Sequence, residues 1–111
     1  MQKAKAKTKY IRISPYKARR AADLIRNLKV EEAYFQLRHC NLKGARLLKK
    51  TLDSAIANAE TQLDARKENL KVVEVRVDGG PTLKRAKPRN RGGQTSINKR
   101  TSHFTVVLSS E

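Results

Sequence analysis

Val73, Val75 and Val77 alternate with Glu74, Arg76 and Asp78, a period of two that predicts a strand with one face in a core. Phe104, Val106 and Leu108 alternate in the same way with His103, Thr105 and Val107 and predict another. Both strands are expected to be half-buried. From Lys3 to Tyr10, lysine alternates with alanine, threonine or tyrosine. Over residues 7–13 that pattern is either a strand with a lysine face or a solvated tail that orders on binding.

The remaining apolar positions recur at three and four. Ala18, Ala21, Ile25 and Leu28 share one face, after Ser14, a good N-cap, and Pro15, suited to the first helical position. Asn27 can supply the left-handed residue that ends this helix. A short second helix is predicted in "VEEAYFQLRH", with Val30, Ala33, Tyr34 and Leu37 inward and Glu31 and Glu32 in its first turn. The longest helix, near 42–63, carries Leu48, Leu52, Ala55, Ile56, Ala59 and Leu63 on one side, with Asn41 as its expected cap. The small residues of "SAIANA" permit close approach, and 64–69 is a polar loop.

Between the two valine-rich strands lies a segment, 79–100, with no apolar face. It reads as a very long hairpin arm. At about 3.3 Å per residue, ten residues each way reach on the order of 30 Å beyond the sheet. Gly92-Gly93 suit its turn, and Pro88 fits only where no ladder hydrogen bond is needed. An isolated two-stranded ribbon is marginal in water, so the arm calls for a surrounding that orders it.

Charge identifies that surrounding. The 111 residues hold 26 Lys and Arg against 10 Asp and Glu, a net charge of +16, which points to a polyanion. Residues 1–22 carry eight bases and no acid, residues 23–78 eleven bases and nine acids, and residues 79–111 seven bases and one acid. The centre is nearly neutral, like an ordinary folded domain, so the ends hold the polyanion. The length suits one domain, 1–111. One cysteine, Cys40, allows no disulfide within the chain and fits a reducing compartment. No secretory signal and no apolar run long enough for a membrane span is evident, so a soluble intracellular protein is expected.

Catalytic and metal chemistry find no support. His39 and Cys40 are neighbours on a helix and point to different faces. One cysteine and two histidines make no ordinary zinc site. Cys40 reads as a small buried hydrophobe. The Gly-Gly-Pro of 79–81 lacks the lysine and hydroxyl of a phosphate loop. No enzyme activity, cofactor, metal, membrane or small-molecule substrate is expected. The arm's arginines bind phosphate bidentately and stack on exposed bases, but it has no aromatic platform. Its chemistry suits backbone and shape recognition of structured RNA, or minor-groove contact with DNA. The nominated RNA-binding residues are Lys3, Lys5, Lys7, Lys9, Arg12, Lys17, Arg19 and Arg20 at one end. At the other they are Lys84, Arg85, Lys87, Arg89, Arg91, Lys99, Arg100 and His103. His103 is equally readable as a phosphate donor or as a polar group satisfied by backbone.

Four stretches, "SPYKARRAADLIR" (14–26), "LDSAIANAE" (52–60), "VDGGPTLKRAKPR" (77–89) and "KRTSHFTVVL" (99–108), together resemble the large-subunit ribosomal protein L-twenty-two family, in that family's order and over nearly the whole chain. By position Ser14, Pro15, Lys17 and Arg19 match the family's first helix. Gly80, Pro81, Lys84, Arg85, Pro88 and Arg89 match the outgoing arm, Gly92 the turn, and Lys99 to His103 the returning base. The chain departs from the pattern at Gly79, where glutamate is usual, at Asn27 (glycine), at Asn90 (alanine) and at Gly93 (arginine).

The resemblance implies an α+β fold: three helices packed on a small three-stranded antiparallel sheet, with a long protruding β-hairpin at about 80–101. It implies a structural constituent of the large ribosomal subunit that binds its RNA, touches neighbouring ribosomal proteins and assists early assembly. The hairpin would line the nascent-peptide exit tunnel through Leu83, Lys84, Arg85, Ala86, Lys87, Pro88, Arg89, Asn90, Arg91, Gly92 and Gly93, facing the nascent peptide. The host would be a cytoplasmic, bacterial-type ribosome, with an organellar one also compatible. From another class, a DNA-bending architectural protein with a basic β-arm and Pro88 as wedge is the alternative, weakened by the lack of an evident dimer face.

Overall fold

The computed structural model describes residues 2–110, Gln2 by its backbone alone; Met1 and Glu111, the ends of the expected domain, lie outside the described residues. Three strands form one antiparallel sheet in the order β1 (Gln2–Ile11), β5 (Ser102–Ser110), β2 (Leu70–Gly79). Three helices pack on one face: α1 (Pro15–Ala22), α2 (Val30–His39) and α3 (Lys43–Gln62). A separate two-stranded ribbon, β3 (Leu83–Pro88) with β4 (Gln94–Lys99), is the protruding hairpin. The molecule measures 63 × 25 × 16 Å, its long axis far exceeding what one core demands. This is the expected α+β architecture.

The pleat sorts the sheet. Ala4 pairs with Leu108, Ala6 with Val106 and Thr8 with Phe104, while Val72, Val75 and Val77 flank the same strand from the other side. These apolar side chains are buried and meet Leu48, Leu52, Ala55, Ile56 and Ala59 of α3. Alanine at positions 4 and 6 and at 55 and 59 lets the long helix approach the sheet closely. Thr51 Oγ1 donates to Thr8 Oγ1 at 3.0 Å, so the one hydroxyl pair on this seam is satisfied. Gly44 performs the same service between helices: a Cβ there would stand 3.2 Å from Ala18 Cα.

Several boundaries differ from the expectations. The lysine-alternating segment is a strand, but it runs from Gln2 to Ile11, not 7–13, because β5 supplies partners from Gln2 to Thr8 and again at Ile11. α1 stops at Ala22 rather than running towards Leu28. Asn27 is indeed left-handed (φ 63°), but it closes a turn beyond the helix, its N–H donating to Val72 O at 3.1 Å. α3 is capped by Leu42 and not Asn41, with no side-chain capping bond. A bulge between Val72 and Glu74 makes Val72, rather than Val73, the inward residue.

β5 is not half-buried. As the central strand it is covered on both faces, and Thr105, Val107 and Ser109 on its outer face are buried too. The register places Lys7 and Arg76 on either side of Thr105, and Lys3 and Lys71 on either side of Ser109. Their aliphatic stems suit the role of cover while the charged ends stay in water.

Candidate nucleic-acid interface

The arm adds nothing to the core. Every residue of β3, the turn and β4 is exposed, and its two larger apolar side chains, Leu83 and Ile97, are 39% and 37% exposed. Residues 80–101 carry seven bases and no acid. The strands pair from Leu83 with Lys99 to Pro88 with Gln94, so Pro88 sits at the ladder's end. The turn is a single 3₁₀ turn over Asn90–Gly92, closed by Arg89 N–H donating to Gly93 O at 2.6 Å. Its left-handed residues are Arg91 (φ 62°) and Gly92 (φ 76°), whereas Gly93 is extended, so the reversal lies one residue before the expected Gly-Gly pair.

Register also divides the ribbon into two unlike faces. Arg85, Lys87 and Lys99 share one face with Leu83, Thr95 and Ile97. Lys84 shares the other with Ala86, Pro88, Gln94, Ser96 and Asn98, a surface with one charge and mostly short side chains. A strand of period two cannot present both sets to the same surroundings.

The arm's root is tightly built. Gly80 N–H donates to Thr101 O at 2.9 Å, and Thr101 Oγ1 donates to Pro81 O at 2.6 Å. A Cβ on Gly80 would fall 2.5 Å from Thr101 Oγ1 and 3.0 Å from His103 Cε1, so only glycine fits. His103 Nδ1 accepts from Tyr10 N–H at 3.1 Å, and the two rings meet edge-on with centroids 5.1 Å apart. That contact favours the backbone-satisfied reading of His103 and leaves its Nε2 edge as the one for other partners. Tyr10 pays a local cost: it sits at φ 59° where β1 shifts register, and the residue is 66% exposed.

Apart from Arg19, the nominated cations fall into three groups. Lys3, Lys5 and Lys7 form a row on the outer face of the sheet, opposite the helices, and Lys9 follows, also exposed. Arg12, Lys17, Arg20 and Arg100 converge on one cleft beside the arm's root. Lys84, Arg85, Lys87, Arg89, Arg91 and Lys99 lie along the arm. Several carry structural duties as well. Arg19 clamps the Val77 carbonyl from Nε and Nη2 at 3.2 and 3.1 Å. Arg12 Nη1 donates to Arg100 O at 2.7 Å, Arg85 Nη1 to Lys84 O at 2.9 Å, and Arg89 Nε to Thr95 Oγ1 at 3.0 Å.

Among the described residues the only ion pairs are Arg26 with Asp23 and Arg76 with Glu74, and neither uses a nominated cation. So many unpaired like charges repel one another unless an anion intervenes.

Sequence reasoning missed Lys43 and Asn98, which line the same cleft, and Lys71 and Arg76, which extend the basic outer face. Lys43 had a signal: a cation in the first turn of a helix opposes the macrodipole, and that turn has no acid to offset it.

Comparison with known proteins adds a finding of another kind. A family model described as "Ribosomal protein L22p/L17e" matches residues 6–109. A protein named "Large ribosomal subunit protein uL22" from Protochlamydia amoebophila (strain UWE25) is 73% identical over 109 residues, 98% of each chain. Proteins of the same name from Chlamydia abortus (strain DSM 27085 / S26/3) and Chlamydia pneumoniae are 57% and 56% identical over 104 residues, 94% of each chain.

Proposed function

This chain belongs to the ribosomal protein L22p/L17e family, and from that premise we propose that its basic arm and basic N-terminal strand are held by large-subunit ribosomal RNA, with the arm lining the nascent-peptide exit tunnel. The coarser statement needs no proposal: this is a ribosomal protein of the large subunit, bacterial in type and therefore cytoplasmic, and its family is not an enzyme family.

The observation that carries the finer reading is the arm itself. It is a ribbon of exposed residues with seven bases, no acid and no core of its own. Such a ribbon is marginal in water and self-repelling. RNA phosphate along the ribbon cancels the repulsion and supplies the contacts that the protein withholds. Arginine and lysine fix the register on the backbone through charge-assisted bonds. The unequal faces then acquire separate tasks. The face with Arg85, Lys87 and Lys99 meets RNA, and the face with Ala86, Pro88, Ser96 and Gln94 offers a passing peptide little to hold. Residues 1–111 act as one domain with the arm at 80–101, its outer sheet face joining the arm in gripping RNA. Neighbouring ribosomal proteins are partners in the same assembly, and early binding follows from a site that the isolated domain already presents.

The test is a competition between polyanions. Electrophoretic titration with folded large-subunit ribosomal RNA and with duplex DNA of equal charge separates RNA recognition from generic attraction. The chain should retain the RNA as salt is raised after the DNA has dissociated. Equal release from both would reduce the reading to charge alone, and preference for DNA would restore the architectural alternative.

A further inference from the structure

Beside the arm's root, chain segments far apart in sequence enclose a cleft of about 440 Å³. The strand-to-helix linker brings Arg12 and Ser14, α1 brings Lys17 and Arg20, the start of α3 brings Lys43, and the returning foot of the arm brings Asn98 and Arg100. Five of the lining side chains are cations and none is a carboxylate.

We propose that this cleft is a phosphate clamp, which seats consecutive phosphodiester groups of an RNA strand and so fixes the root of the arm to the helical layer. The inference rests on the RNA-binding reading above and assigns it a specific site, including Lys43.

Three observations support it. The cations are assembled rather than scattered: Lys43 Nζ donates to Arg12 O at 3.3 Å, and Arg12 Nη1 donates to Arg100 O at 2.7 Å. These two bonds run from α3 to the arm, so the cleft is built as one unit, with Lys17 and Arg20 directed into the same space from α1. Next, both helices that border the cleft break the same local rule. Neither α1 nor α3 has an acid in its first turn, and each places a lysine there, Lys17 and Lys43, where the macrodipole disfavours a cation. A local rule broken twice at one place is expected where a ligand completes the site. Finally, the N-cap Leu42 of α3 provides no capping side chain, whereas Ser14 Oγ accepts from Lys17 N–H in α1; Ala45 N–H turns back to Leu42 O at 3.1 Å, and no side chain caps the turn that carries the cleft-lining Lys43 and Gly44.

Size and continuity favour a strand over a single ion. The cleft opens onto Asn98 and Arg100 at the foot of the arm, so an RNA backbone leaving it passes onto Lys84, which pairs with Asn98 on the same face of the ribbon. The repulsion among five gathered cations is relieved only in part by one free phosphate. A row of phosphodiesters relieves it along the whole cleft.

Lys43→Gln in the full chain tests the clamp, with a large-subunit ribosomal RNA transcript as probe and binding followed as a function of salt. Arg66→Gln is the control. It removes the same charge from the loop beyond the far end of α3, about 30 Å away by the rise of a helix. Loss of one phosphate contact should lower the magnitude of the log–log salt slope by about 0.7–0.9 for Lys43→Gln and leave it unchanged for Arg66→Gln. Lys43→Arg should restore the slope. Millimolar inorganic phosphate should not abolish the difference between wild type and Lys43→Gln. If it does, the cleft holds a free anion and the proposal fails. The proposal also fails if Lys43→Gln behaves like Arg66→Gln while Arg89→Gln on the arm still flattens the slope, and in that outcome RNA binding itself stands. If neither Lys43→Gln nor Arg89→Gln changes the slope, the underlying RNA reading fails with it.

Discussion

Replacing Gly80 with alanine measures how rigidly the arm is joined to the sheet. A Cβ at this position would lie 2.5 Å from Thr101 Oγ1, 3.0 Å from His103 Cε1 and 3.3 Å from His103 Nε2. None of these atoms can retreat cheaply. Thr101 is 5% exposed, on a short branched side chain whose hydroxyl is committed to Pro81 O at 2.6 Å. His103 is held by the N–H of Tyr10 and by the edge-on contact with its ring. Overpacking of this kind costs about 1–3 kcal/mol, and loss of the threonine hydrogen bond adds about 1 kcal/mol. Against this, alanine restricts the unfolded chain and returns about 0.4–1 kcal/mol.

The net expectation is a loss of about 2 kcal/mol, a fall in Tm of roughly 10 °C for a domain of this size. Circular dichroism melts of the free protein read it directly. Gly79→Ala is the matched control, since a Cβ there meets only Pro15 Cγ at 3.8 Å and should be neutral or slightly stabilising. Thr101→Ala combined with Gly80→Ala should cost less than the sum of the two, because the clash partner is gone. A Gly80→Ala protein that melts with or above wild type would refute the reasoning, and additive losses in the double variant would locate the strain elsewhere.

Core and arm should separate in the same assay. Leu52 is fully buried in α3 against the sheet, so Leu52→Ala should cost about 2–5 kcal/mol, whereas Lys84→Ala on the exposed ribbon should leave the melt of the free protein unchanged. If the basic ends neutralise about eight phosphates, binding to folded ribosomal RNA should fall with a log–log salt slope of roughly −6 to −7. A slope near −2, read by filter binding across a salt series, would mean that most of these cations face solvent in the complex.

Local chemistry announced much of this molecule. Ser14 and Pro15 start α1 as their geometry requires, with Ser14 Oγ accepting from Lys17 N–H at 3.3 Å, and the valine alternation located β2. What escaped was set by partners distant in sequence. The Lys–Ala alternation of β1 is ambiguous because alanine buries little area, and only β5 decides that residues 2–6 are strand. The inward residue of β2 is Val72 and not Val73 because a bulge is a property of a strand pair. α1 ends early because the backbone around Leu28 bonds to Val72 instead, Asn27 N–H to Val72 O and Val72 N–H to Leu28 O, at 3.1 and 2.8 Å.

The candidate interface divides along the same line. Charge runs revealed the arm and the basic strand, since each is contiguous. The cleft was invisible because Arg12, Lys17, Arg20, Lys43 and Arg100 come together only through the crossing of α1 and α3 and the return of the arm. Nor does a count of bases say which are engaged within the protein, as Arg19 is with the Val77 carbonyl.

The central claim is that the arm reaches the tunnel through RNA while the domain holds the subunit's surface. Large subunits assembled with a protein lacking residues 86–95 test it most directly, by chemical protection of the ribosomal RNA. Because those ten residues contribute nothing to the core, the shortened protein should fold and enter the subunit. Protection should disappear along the tunnel wall and persist at the subunit surface. Protection that stays intact along the tunnel wall, with loss confined to the surface, would contradict the account.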